Sequence, residues 1–182
     1  MPKPLNYLLV DGYNIVFAWD ELAKLAKESL NNARLRLCDI LCDYQGYTNL
    51  VIIVVFDAHL VDGSMGSVSE YNNITVVFTK EAETADHYIE QTTRVLSRRY
   101  KVTVATSDVL EQVIIISQGA RRMSAEGLLL DIEDVKKKQF EAYEKNRVQA
   151  VKNNPLSGLL DKETLAKLEA MRFGSNRKKK EK

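Results

Sequence analysis

The side chains best suited to chemistry are four aspartates that lie far apart along the chain: Asp11, Asp57, Asp86 and Asp108. Carboxylates held within a few ångströms of each other repel, and they take up protons or move apart unless a cation joins them. Mg²⁺ and Mn²⁺ prefer such oxygen ligands. A cation of this kind can polarise a phosphodiester and stabilise the leaving oxygen. The aspartates therefore predict metal-dependent hydrolysis of a phosphate ester, provided that the fold brings them together.

The sequence offers little to a softer metal. It contains two histidines and two cysteines, Cys38 and Cys42, whereas a zinc site would need further soft ligands. The cysteines are four residues apart in a helical pattern, a spacing that is awkward for a disulfide. We interpret them as small apolar residues on a buried helix face and expect the cofactor to be Mg²⁺ or Mn²⁺.

Apolar runs that are typical of buried strands precede the aspartates. They span residues 7–10, 50–56, 74–78 and 102–105. The run 50–56 is continuously hydrophobic and rich in β-branched residues, which favours a strand covered on both faces, as in a parallel sheet. Asp11 and Asp57 directly follow the first two runs, Asp108 closely follows the fourth, and Asp86 falls in the first turn of a helix that Thr84 can cap. Since ligands bind outside the carboxyl ends of such strands, we expect all four aspartates to face one crevice.

Helical periodicity fills the intervals between the strands. Apolar residues recur with helical spacing from Trp19 to Tyr44, and Gly46 and Asn49 then interrupt the pattern. The glycine- and serine-containing stretch 62–69 predicts a mobile loop. Further helices are predicted at 85–96, with Val95 on the apolar face, at 109–117, ending near Gly119, and at 124–152. Strands that alternate with helices predict an α/β fold, a three-layer α/β/α sandwich with a mostly parallel sheet.

Length and composition fit one domain with a modest appendage. The chain has 182 residues, of which 45% are apolar and 28% charged, and a net charge of +1. We assign residues 1–152 to the α/β domain that carries the aspartates and 153–182 to a short C-terminal helix and a basic disordered tail. No apolar run approaches the ~20 residues that span a bilayer, and the N-terminus lacks a signal-peptide cleavage region. We expect a cytoplasmic protein without a membrane partner; its oligomeric state stays open.

Three polar residues near the aspartates are candidates for supporting roles. Asn14 can orient a metal-bound water or hold the Asp11 loop, or it can simply form a turn. Glu83 precedes Asp86 by one short turn and is a candidate outer ligand. Lys80 is a candidate phosphate contact, although a solvated lysine is the ordinary alternative.

Three aromatic residues, Tyr13, Phe17 and Trp19, follow Asp11 closely. Aromatic rings can stack on nucleobases. Aromatics this close to the start of a helix more often belong to the core, so both interpretations are kept.

Each aspartate also has a purely structural interpretation. Asp11 and Asp57 can form turns, Asp86 can stabilise the dipole of its helix, and Asp108 with Glu111 fits a variant of the capping box. Their common location, rather than any one of them, carries the prediction.

Four stretches in this order resemble the YacP-like branch of the NYN domain family, which belongs to the PIN-like nucleases. They are Leu9-Val10-Asp11-Gly12-Tyr13-Asn14, Val55-Phe56-Asp57-Ala58, Thr79-Lys80-Glu81-Ala82-Glu83-Thr84-Ala85-Asp86 and Ala105-Thr106-Ser107-Asp108. The resemblance covers roughly residues 6–146. It implies a PIN-like fold and divalent-metal endoribonuclease activity, with Asp11 and Asp86 as the first catalytic metal ligands, Asp57 and Asp108 in support and Asn14 close by.

The resemblance also implies action on messenger RNA in association with the ribosome. The near-neutral net charge is compatible with this, because a protein that docks on a larger particle need not bind free RNA strongly. Candidate RNA or ribosome contacts are then the basic residues Lys80, Arg98, Arg99, Arg121, Arg122, Lys136 and Lys137. Solvated helix faces are the alternative for each of these clusters.

Rival functions can be compared at the same positions. A receiver domain needs an acidic pair after the first strand, but Asp11 is followed by Gly-Tyr-Asn. A haloacid-dehalogenase phosphatase needs an aspartate where Tyr13 stands. The strongest rival is an RNA- or ribosome-binding module that keeps the fold and cleaves nothing.

Overall fold

The predicted alternation of strands and helices is present in the computed structural model, which describes residues 6–57, 66–80, 83–108 and 115–152. In chain order the elements are β1 (Asn6–Asp11), α1 (Gly12–Ala18), α2 (Asp20–Glu28), α3 (Leu30–Thr48), β2 (Val51–Phe56), β3 (Ser67–Tyr71), β4 (Ile74–Phe78), α4 (Ala85–Leu96), β5 (Lys101–Ala105), β6 (Arg121–Met123) and α5 (Ala125–Lys152). Within these residues no helix combines the length and apolarity needed to cross a membrane.

The described strands form one sheet in the order β3-β4-β2-β1-β5-β6. The central strand β1 runs parallel to both neighbours, with Val10 opposite Val54 on β2 and opposite Ala105 on β5. Only β3 is antiparallel to its partner, β4, among these strands. The chain leaves β1 toward β2 and β4 and then crosses to β5 on the other side. The carboxyl ends of β1, β2 and β5 therefore share one edge, and the order reverses between β1 and β5.

The sheet is covered on both faces. Leu8 and Val10 belong to one core, together with buried residues of α1, α2, α3 and the first turns of α5. Leu9, which points to the opposite face, belongs to a second core with Ile89 of α4. This confirms the predicted three-layer α/β/α sandwich.

Two edge strands were not predicted. The loop prediction for residues 62–69 is wrong from Ser67 onward, because Ser67–Tyr71 pairs with β4. Four of the five residues of β3 are exposed, so no apolar pattern marks it. The strand β6 has only three residues and begins with two arginines. Both strands are specified by pairing with an existing sheet edge, which local sequence does not encode.

The helix predicted from Trp19 to Tyr44 is two helices, preceded by the separate helix α1. Ser29 separates α2 from α3, and its hydroxyl accepts a hydrogen bond from the Asn32 amide at 3.3 Å. Gly46 does not end α3, which continues to Thr48; the left-handed residue Asn49, with φ 56°, ends it. Serine competes with helical hydrogen bonding and prefers such capping positions.

The later helices agree with the predictions in most respects. Thr84 caps α4 by accepting a hydrogen bond from the His87 amide at 3.2 Å. Val95 does not join the apolar face of α4, because 68% of it is exposed. Ser124 caps α5 through the Gly127 amide at 3.0 Å. Residues 109–114 of one predicted helix, and all of 153–182, lie outside the described residues.

The two cysteines are free thiols. Cys38 is buried in the core, and this burial raises the pKa of its thiol to about 12. Cys42 is partly buried and lies 3.5 Å from the Tyr71 carbonyl oxygen. The interpretation of both as apolar helix residues is confirmed.

Gly12 makes the tight junction between β1 and α1 possible. A Cβ at this position would lie 2.3 Å from Cε1 of Phe56, whose ring is fully buried. Only a residue without a side chain allows α1 to start this close to β2.

We expect Gly12→Ala to lower the free energy of unfolding by about 1–3 kcal/mol, the usual cost of overpacking a core. Gly46→Ala is the matched control, since nothing lies within 4 Å of the place that its new methyl group would take; it should raise stability by up to about 1 kcal/mol through helix propensity. Urea denaturation followed by circular dichroism measures both. Equal stabilities of the two variants would contradict the steric argument.

Candidate active site

Asp11 is the most buried of the four predicted aspartates. It is the last residue of β1 and the N-cap of α1, and its Oδ1 accepts a hydrogen bond from the Asn14 amide at 3.1 Å. Only 8% of the residue is exposed. The strand end and the helix start thus fix its position.

Asp57 and Asp86 are brought together by the start of α4. Asp57 follows β2, and its Oδ2 accepts a hydrogen bond from the Ala85 amide at 3.4 Å. A carboxylate at a helix N-terminus is stabilised by the helix dipole. Asp86 is the next residue of α4 and is exposed. The contact to Ala85 therefore holds the two aspartates side by side.

A cavity of about 330 Å³ joins these groups. Its lining residues are Asp11, Tyr13, Asn14, Phe17, Asp57, Ala85 and Asp86. Three of the four predicted aspartates and the predicted asparagine therefore line one cavity, although they come from three different parts of the chain.

Asp108 and Asn14 lie where the strand order reverses. Asn14 Oδ1 accepts a hydrogen bond from the Ser107 amide at 2.7 Å, which ties the start of α1 to the loop after β5. The Asp108 amide donates to Oγ1 of the buried Thr106 at 3.1 Å. Asp108 does not line the cavity, yet it is close enough to act electrostatically on Asp11 and Asp86.

The carboxylates disturb each other's ionisation. Burial, followed by the charges of Asp86, Asp57 and Asp108, raises the pKa of Asp11 from 3.8 to about 6, against the lowering effect of the Asn14 hydrogen bond. Burial also raises the pKa of Asp86, with further contributions from Asp108 and Asp57. Perturbed carboxylates of this kind cluster at functional sites. The protein alone therefore leaves excess negative charge in this cavity.

The donor chemistry suits a hard cation. In the part of the chain that the structure describes, no three histidine, cysteine, aspartate or glutamate side chains are arranged to hold a metal ion by themselves. Mg²⁺ commonly binds through one or two carboxylates and keeps several waters. Asp11 and Asp86, which share a cavity and interact electrostatically, meet that smaller requirement.

The predicted basic contacts are dispersed. Lys80 is exposed two residues after the end of β4, at the same edge as the aspartates. Arg98 and Arg99 are exposed in the turn before β5, and hence at the opposite edge. The remaining four are exposed on the edge strand β6 and on α5: Arg121, Arg122, Lys136 and Lys137. The fold does not gather them into one patch around the cavity.

The three aromatics after Asp11 have different environments. Tyr13 and Trp19 are buried, and Trp19 Nε1 donates to the Ala125 carbonyl at 2.9 Å. Phe17 is 56% exposed and lines the acidic cavity. The core interpretation is thus confirmed for Tyr13 and Trp19 and wrong for Phe17.

One cation beside the cavity was missed. Arg34 Nη1 donates to the Tyr13 hydroxyl at 2.9 Å, and its guanidinium lies 5.6 Å from the centroid of the Phe78 ring. Arg34 belongs to α3, far along the chain from the motif that it supports. Its local sequence is that of any charged helix, so only tertiary packing reveals it.

A second cavity, of about 510 Å³, lies between the start of α2 and α5. Its wall is apolar at Trp19 and Leu129 but carries four carboxylates, Asp20, Glu21, Glu126 and Glu133. Acidic side chains disfavour a polyanion, and their positions match none of the predicted aspartates.

Comparison with known proteins agrees with this arrangement. The family model of the YacP-like NYN domain matches residues 8–173, which extends beyond residue 146. The uncharacterized protein YacP of Bacillus subtilis (strain 168) is 43% identical over 135 residues, covering 74% of this chain and 79% of YacP.

Two crystal structures of Rae1 (YacP) from Bacillus subtilis have a similar fold. One, of a point mutant, is 35% identical with a TM-score of 0.68, covering 92% of this chain and 99% of that one. The other structure is 37% identical with a TM-score of 0.65, covering 94% of this chain and 97% of that one. A mostly parallel sheet between helices, the Asp-Gly-Tyr-Asn junction and this match over most of the chain lead to one assignment: the protein belongs to the YacP-like NYN domain family, which indicates a nuclease-like function related to RNA.

Proposed function

We propose that this protein is a divalent-metal-dependent endoribonuclease that hydrolyses phosphodiester bonds of messenger RNA in the cytoplasm, in association with the ribosome. The observation that carries the proposal is the meeting of Asp11, Asp57 and Asp86 in one cavity, with Asp11 buried. A buried carboxylate beside like charges costs stability unless a cation is bound. RNA is proposed as the substrate because the chain belongs to the YacP-like NYN domain family.

Asp11 and Asp86 are the residues that would hold Mg²⁺ or Mn²⁺, supported by Asp57 and Asp108. When bound, the cation supplies positive charge to the phosphodiester oxygens and favours ionisation of a nearby water. Asp57 is itself oriented by the Ala85 amide. Asn14 Oδ1 is engaged by Ser107, so its Nδ2 group is the donor available to orient a phosphate oxygen or the attacking water in the cavity.

Association with the ribosome is proposed on the basis of the family resemblance and the charge distribution. A net charge of +1 gives weak attraction to free RNA. The exposed arginines of β6, Arg121 and Arg122, lie on an edge strand of the sheet and are the proposed contacts for docking on a larger RNA surface. Docking would then raise the local concentration of RNA near the cavity, whose acidic side chains do not attract RNA by themselves.

A non-catalytic RNA- or ribosome-binding module is the alternative. A binding module does not require a carboxylate with a raised pKa at Asp11, nor a cavity that Asp11 shares with Asp86. Ionised carboxylates in this cavity lower the stability of the fold and would contribute nothing to binding. The buried position of Asp11 therefore favours the nuclease.

We expect Asp11→Asn and Asp86→Asn each to remain folded and to lower RNA cleavage at least about a hundredfold, since even partners of metal ligands contribute up to that much. Cleavage of a labelled messenger RNA is measured with and without active translation and with and without chelator. Asp20→Asn, an exposed aspartate on α2, is the matched control. Wild-type rates in both site variants would refute the assignment.

Removing the charge of Asp11 should change how stability depends on pH. Because folding raises its pKa from 3.8 to about 6, the stability linked to Asp11 is full below pH 3.8 and is lost as the pH rises through 6. At about 1.4 kcal/mol per pKa unit, the loss is roughly 3 kcal/mol. We therefore expect metal-free Asp11→Asn to be more stable than wild type at pH 7.5 and not at pH 3.5.

Urea unfolding across this pH range, without metal, measures the difference. Asparagine is also a good N-cap, so the hydrogen bond from Asn14 is retained in the variant. Adding Mg²⁺ or Mn²⁺ at pH 7.5 should stabilise the wild type, by about 2.7 kcal/mol at one hundred times the Kd, and leave Asp11→Asn unchanged. Parallel pH curves, or a wild type indifferent to both metals, would favour the binding module.

Docking is tested by charge reversal on β6. We expect Arg121→Glu with Arg122→Glu to weaken co-sedimentation with ribosomes severalfold while metal-induced stabilisation is retained, because the two arginines lie away from the cavity lining. Lys24→Glu with Lys27→Glu, two lysines of α2, is the control of equal charge change. Unchanged co-sedimentation would rule out the β6 arginines as the docking contact.

A further inference from the structure

An exposed aromatic ring stands beside the carboxylates. Phe17 lies on α1 with 56% of the residue exposed, and it lines the same cavity as Asp11, Asp57 and Asp86. Leaving a phenylalanine in water forgoes the stability that its burial would give. We propose that Phe17 is a stacking platform for an unpaired nucleobase next to the cleaved phosphodiester; this rests on the proposed nuclease function.

The ring is held on a rigid support. It stacks on Tyr13 with centroids 6.2 Å apart and planes 21° from parallel. Tyr13 is 7% exposed and packs edge-on against the buried Phe56, with centroids 5.2 Å apart. Its hydroxyl is fixed by Arg34 at 2.9 Å. A platform that is already ordered loses little conformational entropy when a base binds.

The charge of the cavity explains why a neutral contact is needed there. Asp11, Asp57 and Asp86 repel the phosphates of RNA, so the substrate must be held beside them partly by a contact that does not depend on charge. Base stacking on an aromatic ring is such a contact and accepts any base. A base inside a duplex has both faces covered, and Phe17 therefore selects RNA that is unpaired at this position.

Phe17 differs from other exposed aromatic residues in its location. Within the described part of residues 6–137, Tyr47 of α3 is also an exposed aromatic residue, 48% exposed, but it does not line the cavity with the carboxylates. Tyr47 therefore presents an aromatic ring at a different place and serves as the control.

The test measures binding apart from cleavage. Asp86→Asn protein, with its carboxylate removed, is titrated into a fluorescent unpaired RNA oligonucleotide, and into copies in which one base at a time is replaced by an abasic nucleotide. Combining Phe17→Ala with Asp86→Asn in one protein should weaken binding of the RNA oligonucleotide about tenfold, which is in the range of one base–aromatic stack. The variant with Phe17→Tyr should bind RNA within about twofold of the protein with Phe17, and Tyr47→Ala should have no effect.

The abasic series identifies the stacked base. At one position, losing the base should weaken binding about tenfold with Phe17 and have no further effect in Phe17→Ala, because the same contact is lost only once. Additive losses at every position, or unchanged binding by Phe17→Ala, would overturn the platform. An equal loss of binding to a base-paired RNA in Phe17→Ala would also overturn the platform. So would normal binding of the unpaired RNA by Phe17→Leu, because that result indicates a general apolar contact such as a protein partner.

Cleavage of messenger RNA in a translation reaction separates this inference from the proposed function. We expect Phe17→Ala to lower kcat/KM about tenfold, with retention in Phe17→Tyr. Normal cleavage by Phe17→Ala would overturn the platform and leave the nuclease standing. If the wild type itself cuts no RNA, with or without translation, the nuclease proposal fails and the platform fails with it.

Discussion

The capping of α1 by Asp11 is the constraint on which the site depends. One carboxylate ends the central strand, accepts the Asn14 amide and starts the helix that carries Tyr13, Asn14 and Phe17. The junction is tight enough that Gly12 packs directly on Phe56. Because this geometry leaves the carboxylate buried, the same interaction that organises the local fold also places a poorly solvated negative charge in the cavity.

The topology of the sheet brings further groups to this junction. Parallel pairing of β1 with β2 and β5 puts three strand ends at one edge. The Ala85 amide connects Asp57 with the helix that presents Asp86. On the other side, the bond from Ser107 to Asn14 closes the gap where the strand order reverses. Both contacts use backbone amides as donors: one orients the Asp57 carboxylate, and the other holds the Asn14 side chain.

Stability and function oppose each other in this cavity. The raised pKa values of Asp11 and Asp86 record that burial and mutual repulsion work against their ionised forms. In the proposed function, a bound hard cation would relieve that repulsion. Tyr13 lines the same cavity and is itself held by the buried ring of Phe56 and by Arg34. Carboxylates whose ionised forms are disfavoured, next to a well-packed aromatic cluster, are a local conflict of the kind found at functional sites.

The sequence by itself determined the buried strands, the three-layer architecture, the cap Thr84, and the position of the aspartates near strand ends, because these follow from periodicity and local hydrogen bonding. Only the tertiary structure decided the edge strands β3 and β6, the break at Ser29 and the exposure of Val95. It also decided that Phe17 opens to the cavity while Tyr13 and Trp19 are buried, and that Arg34 reaches Tyr13 from another helix. Those outcomes depend on which distant surfaces meet, and contacts between segments far apart in the chain leave no periodic signal in either segment.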